Sequence, residues 1–248
     1  MQQLTTIADV VAASGADPQC MWLAQGLQRG GQAWEHAGGV AVGCHGLCGV
    51  DRIVLRGPAD AAAALASEAI GALGPSFEVI GDPPLIASLL GRLGWLEPYS
   101  FFAWMDSTRR PRHERLHSVR WLAQREWKAA QEVLVAASPS YYARPGQPGI
   151  RRWAGITDAH GRLTCTVAEA WSVPGLGFMT ALAVLPRARC VGQGKDVCAF
   201  VLEALLDAQG RVALMEWDWN WAAVNLYTQL GMSYQRQQIV RMKQGSRE

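Results

Sequence analysis

Apolar and polar positions along the chain follow two successive runs of helical and strand-like patterns. In the first run, apolar residues three or four positions apart predict helices over 5–28, 59–73 and 84–93. Shorter apolar or aromatic stretches between them predict strands over 38–44, 51–55, 77–80 and 95–105. The first run therefore alternates helices with short strands.

The second run begins after residues 106–113, a polar, basic and proline-containing stretch that we interpret as a linker. The same spacing rules predict helices over 116–137, 192–209 and 221–230. They predict strands over 153–158, 163–171, 177–185, 212–217 and 234–242, of which the first two form a hairpin.

The two runs end in the same way, with a helix, a strand, a second helix, a Leu-Gly step and a last strand. Leu93-Gly94-Trp95 takes the place in the first run that Leu230-Gly231-Met232 takes in the second. A repeat of this length favours duplication of a whole domain over short stacked repeats. We therefore expect a domain over 1–106, a basic linker over 107–115 and a second domain over 116–248.

Composition favours a folded protein without a membrane anchor. The chain has 248 residues, of which 50% are hydrophobic and 18% are charged, which excludes disorder as a general description. No apolar run approaches the roughly 18 residues that cross a bilayer, and the N-terminus lacks the basic start of a signal peptide. We expect a cytoplasmic protein with no membrane partner.

The six cysteines are scattered among apolar neighbours, and a chain of this length does not need disulfides. Cys44 and Cys48 form a C-x3-C pair, but no second ligand pair follows it. The sequence therefore predicts buried thiols and no metal site.

Charge is distributed unevenly along the chain. Residues 1–106 hold four arginines against ten acidic residues, a net charge of −6, whereas residues 107–248 hold nineteen basic against eleven acidic residues, a net +8. The second part is therefore the one that attracts polyanions. Six arginines cluster at its start: Arg109, Arg110, Arg112, Arg115, Arg120 and Arg125.

The segment 183–195 has the composition of an anion-binding turn. A strand ends at Pro186, a basic loop with Gly192 and Gly194 follows, and a helix begins. The first N–H groups of a helix lack partners, and glycine lets a ligand approach the backbone closely. Arg189 and Lys195 add positive charge, while Asp196 in the first turn weakens the anion site slightly. A diphosphate is the expected ligand, and the alternative is an ordinary strand-to-helix turn.

Arg189-x-x-Gly192-x-Gly194 resembles the acyl-CoA pyrophosphate loop of the GNAT acyltransferase superfamily. A second motif lies downstream and resembles the family's Asn-x-x-Ala-x-x-Leu-Tyr-x-x-Leu-Gly-Phe helix: Asn220-x-x-Ala223-x-x-Leu226-Tyr227-x-x-Leu230-Gly231-Met232. The resemblance covers about 116–242. The first half resembles a degenerate copy, since the loop over 56–61 has no glycine pair and carries Asp60. The implied fold class is α+β, with two GNAT-like domains, each a mixed, mostly antiparallel twisted sheet flanked by helices.

The resemblance implies acyl-CoA as the co-substrate and assigns roles to residues of the second half. Leu182 and Val184 would hydrogen-bond the pantetheine arm through their backbone, and Asn220 would lie near the arm or its sulfur. Tyr227 would protonate the leaving thiolate with an ordinary pKa near 10, or would simply be a packed aromatic. The residues that would hold the pyrophosphate are Arg189, Cys190, Val191, Gly192, Gln193, Gly194 and Lys195.

The base and the acceptor pocket are less specified. Glu216 and Glu169 are candidate bases because both lie in strands of the second half, although each could instead pair with an arginine. Tyr141, Tyr142, Trp217 and Trp219 are candidate acceptor-binding residues. The alternative for the alternating tryptophans is core packing.

The expected function is transfer of an acyl group, acetyl by preference, from acyl-CoA to the amine of a small molecule. Two alternatives stay open. Some GNAT-like proteins take an aminoacyl group from a charged tRNA, and the arginine cluster would suit such a partner. A non-catalytic CoA-binding protein is the other.

Overall fold

The helices and strands fall into two units that do not divide the chain at a single point. The computed structural model describes residues 1–137 and 142–243. One unit comprises Met1–Ala103, Trp217–Trp219 and the described residues from Gln235 onward; the other comprises Trp104–Glu216 and Asn220–Tyr234. The final strand of the chain therefore belongs to the first unit, a feature that a linear division into 1–106, 107–115 and 116–248 does not include.

The first unit is a mixed sheet with helices. Its helices are α1 (Ile7–Ala13), α2 (Pro18–Leu23), α3 (Ala59–Leu73) and α4 (Pro83–Arg92), with a 3-10 helix at Ala24–Arg29. Its strands are β1 (Gln2–Leu4), β2 (Gln32–His36), β3 (Gly39–Leu47), β4 (Val50–Arg56), β5 (Glu78–Gly81), most of β6 (Leu96–Ser107) and most of β12 (Ser233–Met242). The strand order is β1-β2-β3-β4-β5-β12-β6. Neighbours from β1 to β4 pair antiparallel, β4 and β5 pair parallel, and β5 and β12 pair antiparallel.

The helix predicted over 5–28 is wrong in one respect, because it is interrupted. Gly15 and Ala16 have φ angles of 61° and 58°, in the left-handed region that ends a helix. Asp17 then caps α2, accepting hydrogen bonds from the backbone of Gln19 and Cys20, and Pro18 occupies the first helical position. Local turn chemistry thus overrides the apolar spacing.

The second unit is a mixed sheet as well. Its helices are α5 (Trp127–Ala137), α6 (Gln193–Gln209) and α7 (Trp221–Gln229). Its strands are β7 (Arg120–Trp121), β8 (Ile150–Thr157), β9 (Leu163–Ala170), β10 (Gly177–Val184) and β11 (Val212–Trp217). The order is β11-β10-β9-β8-β7, with antiparallel pairing from β7 to β10 and parallel pairing between β10 and β11.

The helix predicted over 116–137 begins only at Trp127. Before it, β7 pairs with Ala154 and Gly155 of β8, and a 3-10 turn covers Gln124–Glu126. Glu126 holds this turn, since its carboxylate accepts from the backbone of Ala123 at 2.9 Å and from Arg120 at 2.6 and 2.8 Å. A strand partner distant in sequence thus displaces the helix.

The two units repeat one order of elements. In each, two antiparallel pairings are followed by a helix and a parallel pairing: β2-β3-β4-α3-β5 in the first and β8-β9-β10-α6-β11 in the second. A further helix follows, α4 or α7. The predicted α+β class with a mixed, mostly antiparallel sheet in each half is confirmed.

Each unit has its own hydrophobic core. In the first, α3 and α4 contribute Leu65 and Ile86 beside Phe77; in the second, Leu134 of α5 lies with Trp153 of β8. Five of the six cysteines, all within the described residues, are buried, as expected for thiols that act as small apolar groups. Among the described residues, no helix combines the length and apolarity needed to cross a bilayer.

Candidate functional site

The candidate site begins where β10 and β11 stop pairing. Their described register pairs are Gly177 with Val212 and Phe178 with Ala213. Beyond Phe178, β10 continues for six residues to Val184 and pairs with β9 alone among the described pairs. One edge of β10 is therefore left with backbone groups that an extended ligand can use.

A β-bulge lies in this same part of β10. The register with β9 shifts between Thr180 and Ala183, and Ala181 has a φ of 56°. A left-handed φ at a non-glycine residue is uncommon and clusters at functional positions. The bulge changes the direction of the strand just ahead of Leu182 and Val184, the two residues predicted to contact the pantetheine arm.

The helix that follows, α6, begins without a side-chain cap. Gly192 is its N-cap residue with φ 87°, and it supplies no side chain to the first N–H groups. A Cβ added at Gly192 would meet no described heavy atom within 4 Å, so the turn faces open space. Free N–H groups and the positive end of the helix dipole therefore face an accessible surface, which is what an anion requires.

The predicted cofactor residues converge at this helix start. A Cβ added at Gly194 would lie 3.4 Å from Val184 and from Leu226, and 3.9 Å from Leu182. The Nζ of Lys195 donates to Gln229 of α7 at 3.2 Å. The edge of β10, the first turn of α6 and the α7 helix thus meet at one place.

Other residues of the loop hold its shape. The guanidinium of Arg189 donates to the backbone carbonyls of Val184 and Ala137, each at 3.2 Å, while Gln193 accepts from Thr164 of β9 at 2.8 Å. Arg189 therefore fastens the end of β10 to the end of α5. Cys190 and Val191 are exposed, and Cys190 has a left-handed φ of 63°.

Tyr227 lies on α7 and is only 5% exposed. Burial raises the pKa of its phenol well above the ordinary value, and Cys198, Glu216 and Tyr142 act in the same direction. The expectation of an unperturbed pKa is thus wrong: the phenol is protonated at neutral pH, as a proton donor must be, but its raised pKa makes it a weaker acid than an ordinary tyrosine. The packed-aromatic alternative agrees with the burial.

Tyr142 lies near the bulge and stacks on a second aromatic ring. Its hydroxyl and that of Thr180 are 2.8 Å apart, and its ring stacks on Trp171 with 6.1 Å between centroids. A cavity of about 460 Å³ is lined by Tyr142, Arg144, Pro145 and Gln147. Tyr141, the other predicted acceptor residue of this loop, lies outside the described residues.

Glu169 is held by arginines. It is buried on β9, and its Oε2 accepts from Arg152 at 2.6 Å while its Oε1 lies 3.6 Å from Arg151. Ser172 donates to Oε1 at 3.3 Å. Both carboxylate oxygens are thus engaged, which favours the structural alternative to a base.

Trp217 and Trp219 are 43% and 70% exposed, and Trp221 is 62% exposed. The core-packing alternative for these tryptophans is therefore wrong. Asn220 is the N-cap residue of α7, and its side chain makes no capping hydrogen bond in the described structure. Its amide is thus not used to start the helix.

The corresponding turn of the first unit is built differently. Arg56 donates to Asp17 at 2.9 Å and to Gln19 at 2.7 Å, and a Cβ at Gly57 would lie 2.6 Å from the carbonyl oxygen of Gly38. Asp60 forms an ion pair with Arg92. The arginine and glycine are thus committed to packing, which agrees with a degenerate copy.

The arginine cluster at the start of the second half is partly neutralised. Arg110 pairs with Asp207 and Arg115 with Glu203, both on α6, while Arg120 pairs with Glu126. The first two pairs join residues that are far apart in the sequence, whereas Arg120 and Glu126 are six residues apart. They favour a structural role over a polynucleotide surface.

Sequence reasoning missed two residues that contact Asp196, His113 and His117. This aspartate is fully buried, and its carboxylate accepts hydrogen bonds from the side chains of His113 and His117. The two histidines lie in or beside the stretch that we expected to be a linker. A signal existed in principle, since a carboxylate in an apolar helix needs a partner, but nothing local identifies which.

Comparison with solved structures identifies the fold. A GCN5-related N-acetyltransferase from Kribbella flavida is similar with a TM-score of 0.63 and 19% identity, over 95% of this chain and 96% of that one. One from Sphaerobacter thermophilus has a TM-score of 0.57 and 14% identity, over 83% and 76%. A GCN5-related N-acetyltransferase-like protein from Streptococcus suis has a TM-score of 0.53 and 10% identity, over 96% and 98%.

In the sequence comparisons, no family model and no curated protein matches the chain. The first two structural neighbours are described as N-acetyltransferases and extend over most of both chains, so the likeness is not confined to one half. The fold of this chain is the GNAT fold.

Proposed function

We propose that the second unit binds an acyl-CoA and transfers its acyl group to an amine. The observation that carries the proposal is the position of the uncapped α6 start beside the unpaired edge of β10. One feature suits a diphosphate and the other an extended amide chain. CoA contains both groups joined in sequence, and the distance between the features is bridged by Leu182, Val184 and Gly194.

The diphosphate would accept hydrogen bonds from the backbone N–H groups of Gly192, Gln193, Gly194 and Lys195. The amides of the pantetheine arm would pair with the free edge of β10 past the bulge, in the manner of an added strand. Asn220, whose amide is not used in capping, is the proposed contact near the thioester.

The reaction would be direct. The amine nitrogen attacks the thioester carbonyl carbon, the C–S bond breaks, and the sulfur leaves as a thiolate that takes a proton from the phenol of Tyr227. The proton lost by the amine goes to Glu216 or to water held by it. Glu216 is the better base of the two predicted carboxylates, because Glu169 is enclosed by arginines.

The acceptor would be a small-molecule amine. The ring of Tyr142, backed by Trp171, lies next to Thr180 at the bulge and is the proposed acceptor contact. Trp217, Trp219 and Tyr141 remain predictions as acceptor residues, which separate substitutions to alanine would test through KM for the amine.

Cys190 offers a direct test of cofactor binding. It lies in the proposed diphosphate turn and is exposed, whereas the other five cysteines of the described chain are buried. A maleimide should therefore label Cys190 first, and desulfo-CoA, which has no thiol, should slow that labelling. The Cys190→Ser variant controls for site identity. Labelling that is unaffected by saturating desulfo-CoA would overturn the binding site.

Activity separates the alternatives. Acetyl-CoA and a charged tRNA are supplied in parallel as donors with a panel of amines, and amide formation is followed by mass spectrometry. Transfer from acetyl-CoA supports the proposal, and transfer from the tRNA alone supports the aminoacyl alternative. Cys190 protection without any transfer would indicate a non-catalytic CoA-binding protein.

A further inference from the structure

Asp196 is a buried carboxylate in the first turn of α6, one residue after the proposed diphosphate amides. It is fully buried and accepts four hydrogen bonds: from His113 Nε2 at 2.6 Å, from His117 Nδ1 at 2.6 Å, and from the backbone N–H groups of Leu116 and His117 at 3.0 and 2.9 Å. Burial alone would raise the pKa of this carboxyl, but the bonds from His113 and His117 outweigh it and the pKa is lowered. Asp196 is therefore charged at neutral pH.

A charged aspartate at this place conflicts with the function proposed for the helix. One helical turn rises about 5.4 Å, so Asp196 lies within roughly one turn of the N–H groups that would bind a diphosphate. Like charges at that separation repel, and the low dielectric around a buried group strengthens the effect. Something must neutralise Asp196 if α6 is to bind an anion well.

The charged groups around Asp196 identify what does so. From β9, Cys165 faces it as a neutral thiol, since burial raises its pKa to about 12. On α6, Lys195 is bound to Gln229, and Glu203 is paired with Arg115. His113 and His117 thus remain as the side chains in direct contact with the carboxylate, and together with Glu114 they line a cavity of about 500 Å³.

We propose that His113 and His117 are positioning residues for the cofactor, which neutralise Asp196 and so permit the first turn of α6 to hold the diphosphate. The inference rests on the proposed function. Affinity for CoA should therefore depend on two residues that do not touch the cofactor.

The test is a set of four proteins: the wild type, the double variant His113→Asn/His117→Asn, the single variant Asp196→Asn, and the triple variant. Asparagine still donates hydrogen bonds, and the backbone bonds from residues 116 and 117 are kept, so the segment should stay in place. Calorimetry at pH 6.5 should find that the double variant binds desulfo-CoA about three- to tenfold more weakly, the expected effect of one unneutralised charge at this range. Asp196→Asn in the triple variant should restore binding.

Two controls separate charge from structure. An acetylated pantetheine, which lacks the diphosphate, should act as a donor with the same KM in all four proteins. A purely structural role would instead alter this KM and would not be rescued by Asp196→Asn. The second control compares the single variant Asp196→Asn with the triple variant: once the carboxylate is gone, replacing the two histidines should leave the affinity for desulfo-CoA unchanged.

The outcomes are distinguishable from a failure of the proposed function. If the wild type does not bind desulfo-CoA, the proposed function is wrong. If the wild type binds and the double variant binds equally well, the inference about His113 and His117 is wrong and the function stands. If the double variant does not fold, the single variants His113→Asn and His117→Asn decide: each should weaken binding of desulfo-CoA, and wild-type affinity in both would overturn the inference.

Discussion

Replacing either of two glycines in the α6 turn by alanine should have opposite effects on stability. Gly192 has a φ of 87°, whereas Gly194 lies in the first turn of the helix proper. Alanine in the left-handed region costs about 1–2 kcal/mol. The smaller freedom of the unfolded chain returns part of this. Gly192→Ala should therefore lower the free energy of unfolding by about 1 kcal/mol, although no neighbour would clash.

Gly194→Ala should leave the free energy of unfolding unchanged or raise it. Its new Cβ would lie 3.4 Å from Val184 and Leu226, which is ordinary contact. Alanine is better than glycine by up to about 1 kcal/mol within a helix. The variant should therefore be as stable as the wild type or slightly more stable.

Thermal unfolding measures the difference. In a chain of this size about 1 kcal/mol shifts Tm by roughly 2–4 °C. The Tm of Gly192→Ala should therefore be lower than that of the wild type by about that amount, while the Tm of Gly194→Ala should be equal to that of the wild type or higher. If unfolding has two transitions, the Tm to compare is that of the transition that moves when desulfo-CoA is added, because ligand binding stabilises the unit that binds it. Equal Tm values for the two variants would refute the argument that Gly192 is required by its backbone conformation.

Three further predictions concern single side chains. Tyr227→Phe should lower kcat about 10- to 100-fold with an unchanged Kd for desulfo-CoA, and an unchanged kcat would remove its acid role. Glu169→Gln should cost about 1 kcal/mol of stability, because a neutral amide replaces the ion pair with Arg152, yet activity per folded molecule should stay within about twofold of the wild type; a collapse of kcat would restore Glu169 as the base. The hydrogen bonds from Arg120 and the backbone of Ala123 lower the pKa of Glu126 from 4.5 to about 2, so its stabilising effect is complete above pH 4.5 and lost as the pH falls towards 2; Glu126→Gln should flatten that part of an acid unfolding curve.

The elements that the sequence predicts well are those whose ends are marked by helix-capping or turn residues. The helix α3 covers Ala59–Leu73 as expected, because Pro58 precedes it and Gly74 ends it, and β11 covers Val212–Trp217. The segment before α5 has a helical pattern but contains strand β7, because its partner, β8, lies some thirty residues further along the chain. No local signal states that β12 pairs with β5, since the apolar pattern of a strand does not name its neighbour.

The site divides in the same way. The glycines and the basic residues of the α6 turn were predictable, because a phosphate-binding turn needs its residue types close together in sequence. The sequence alone predicts that Asp196 weakens the anion site, because it shows the charge of the aspartate but not the residues that hydrogen-bond to it. His113 and His117 lie about eighty residues before it, and folding alone brings them to its carboxylate.

The two strand-to-helix turns of this chain show why counting charges at a motif is insufficient. Each turn has an arginine, a glycine and an aspartate: the first unit has Arg56, Gly57 and Asp60. There, the arginine is held by Asp17 and Gln19, and the glycine is packed against a neighbouring backbone. In the second unit the glycine faces open space and the aspartate is enclosed by histidines. A second glycine added to the first turn would therefore not create an anion site, because the groups that would have to face the ligand are already committed to the fold.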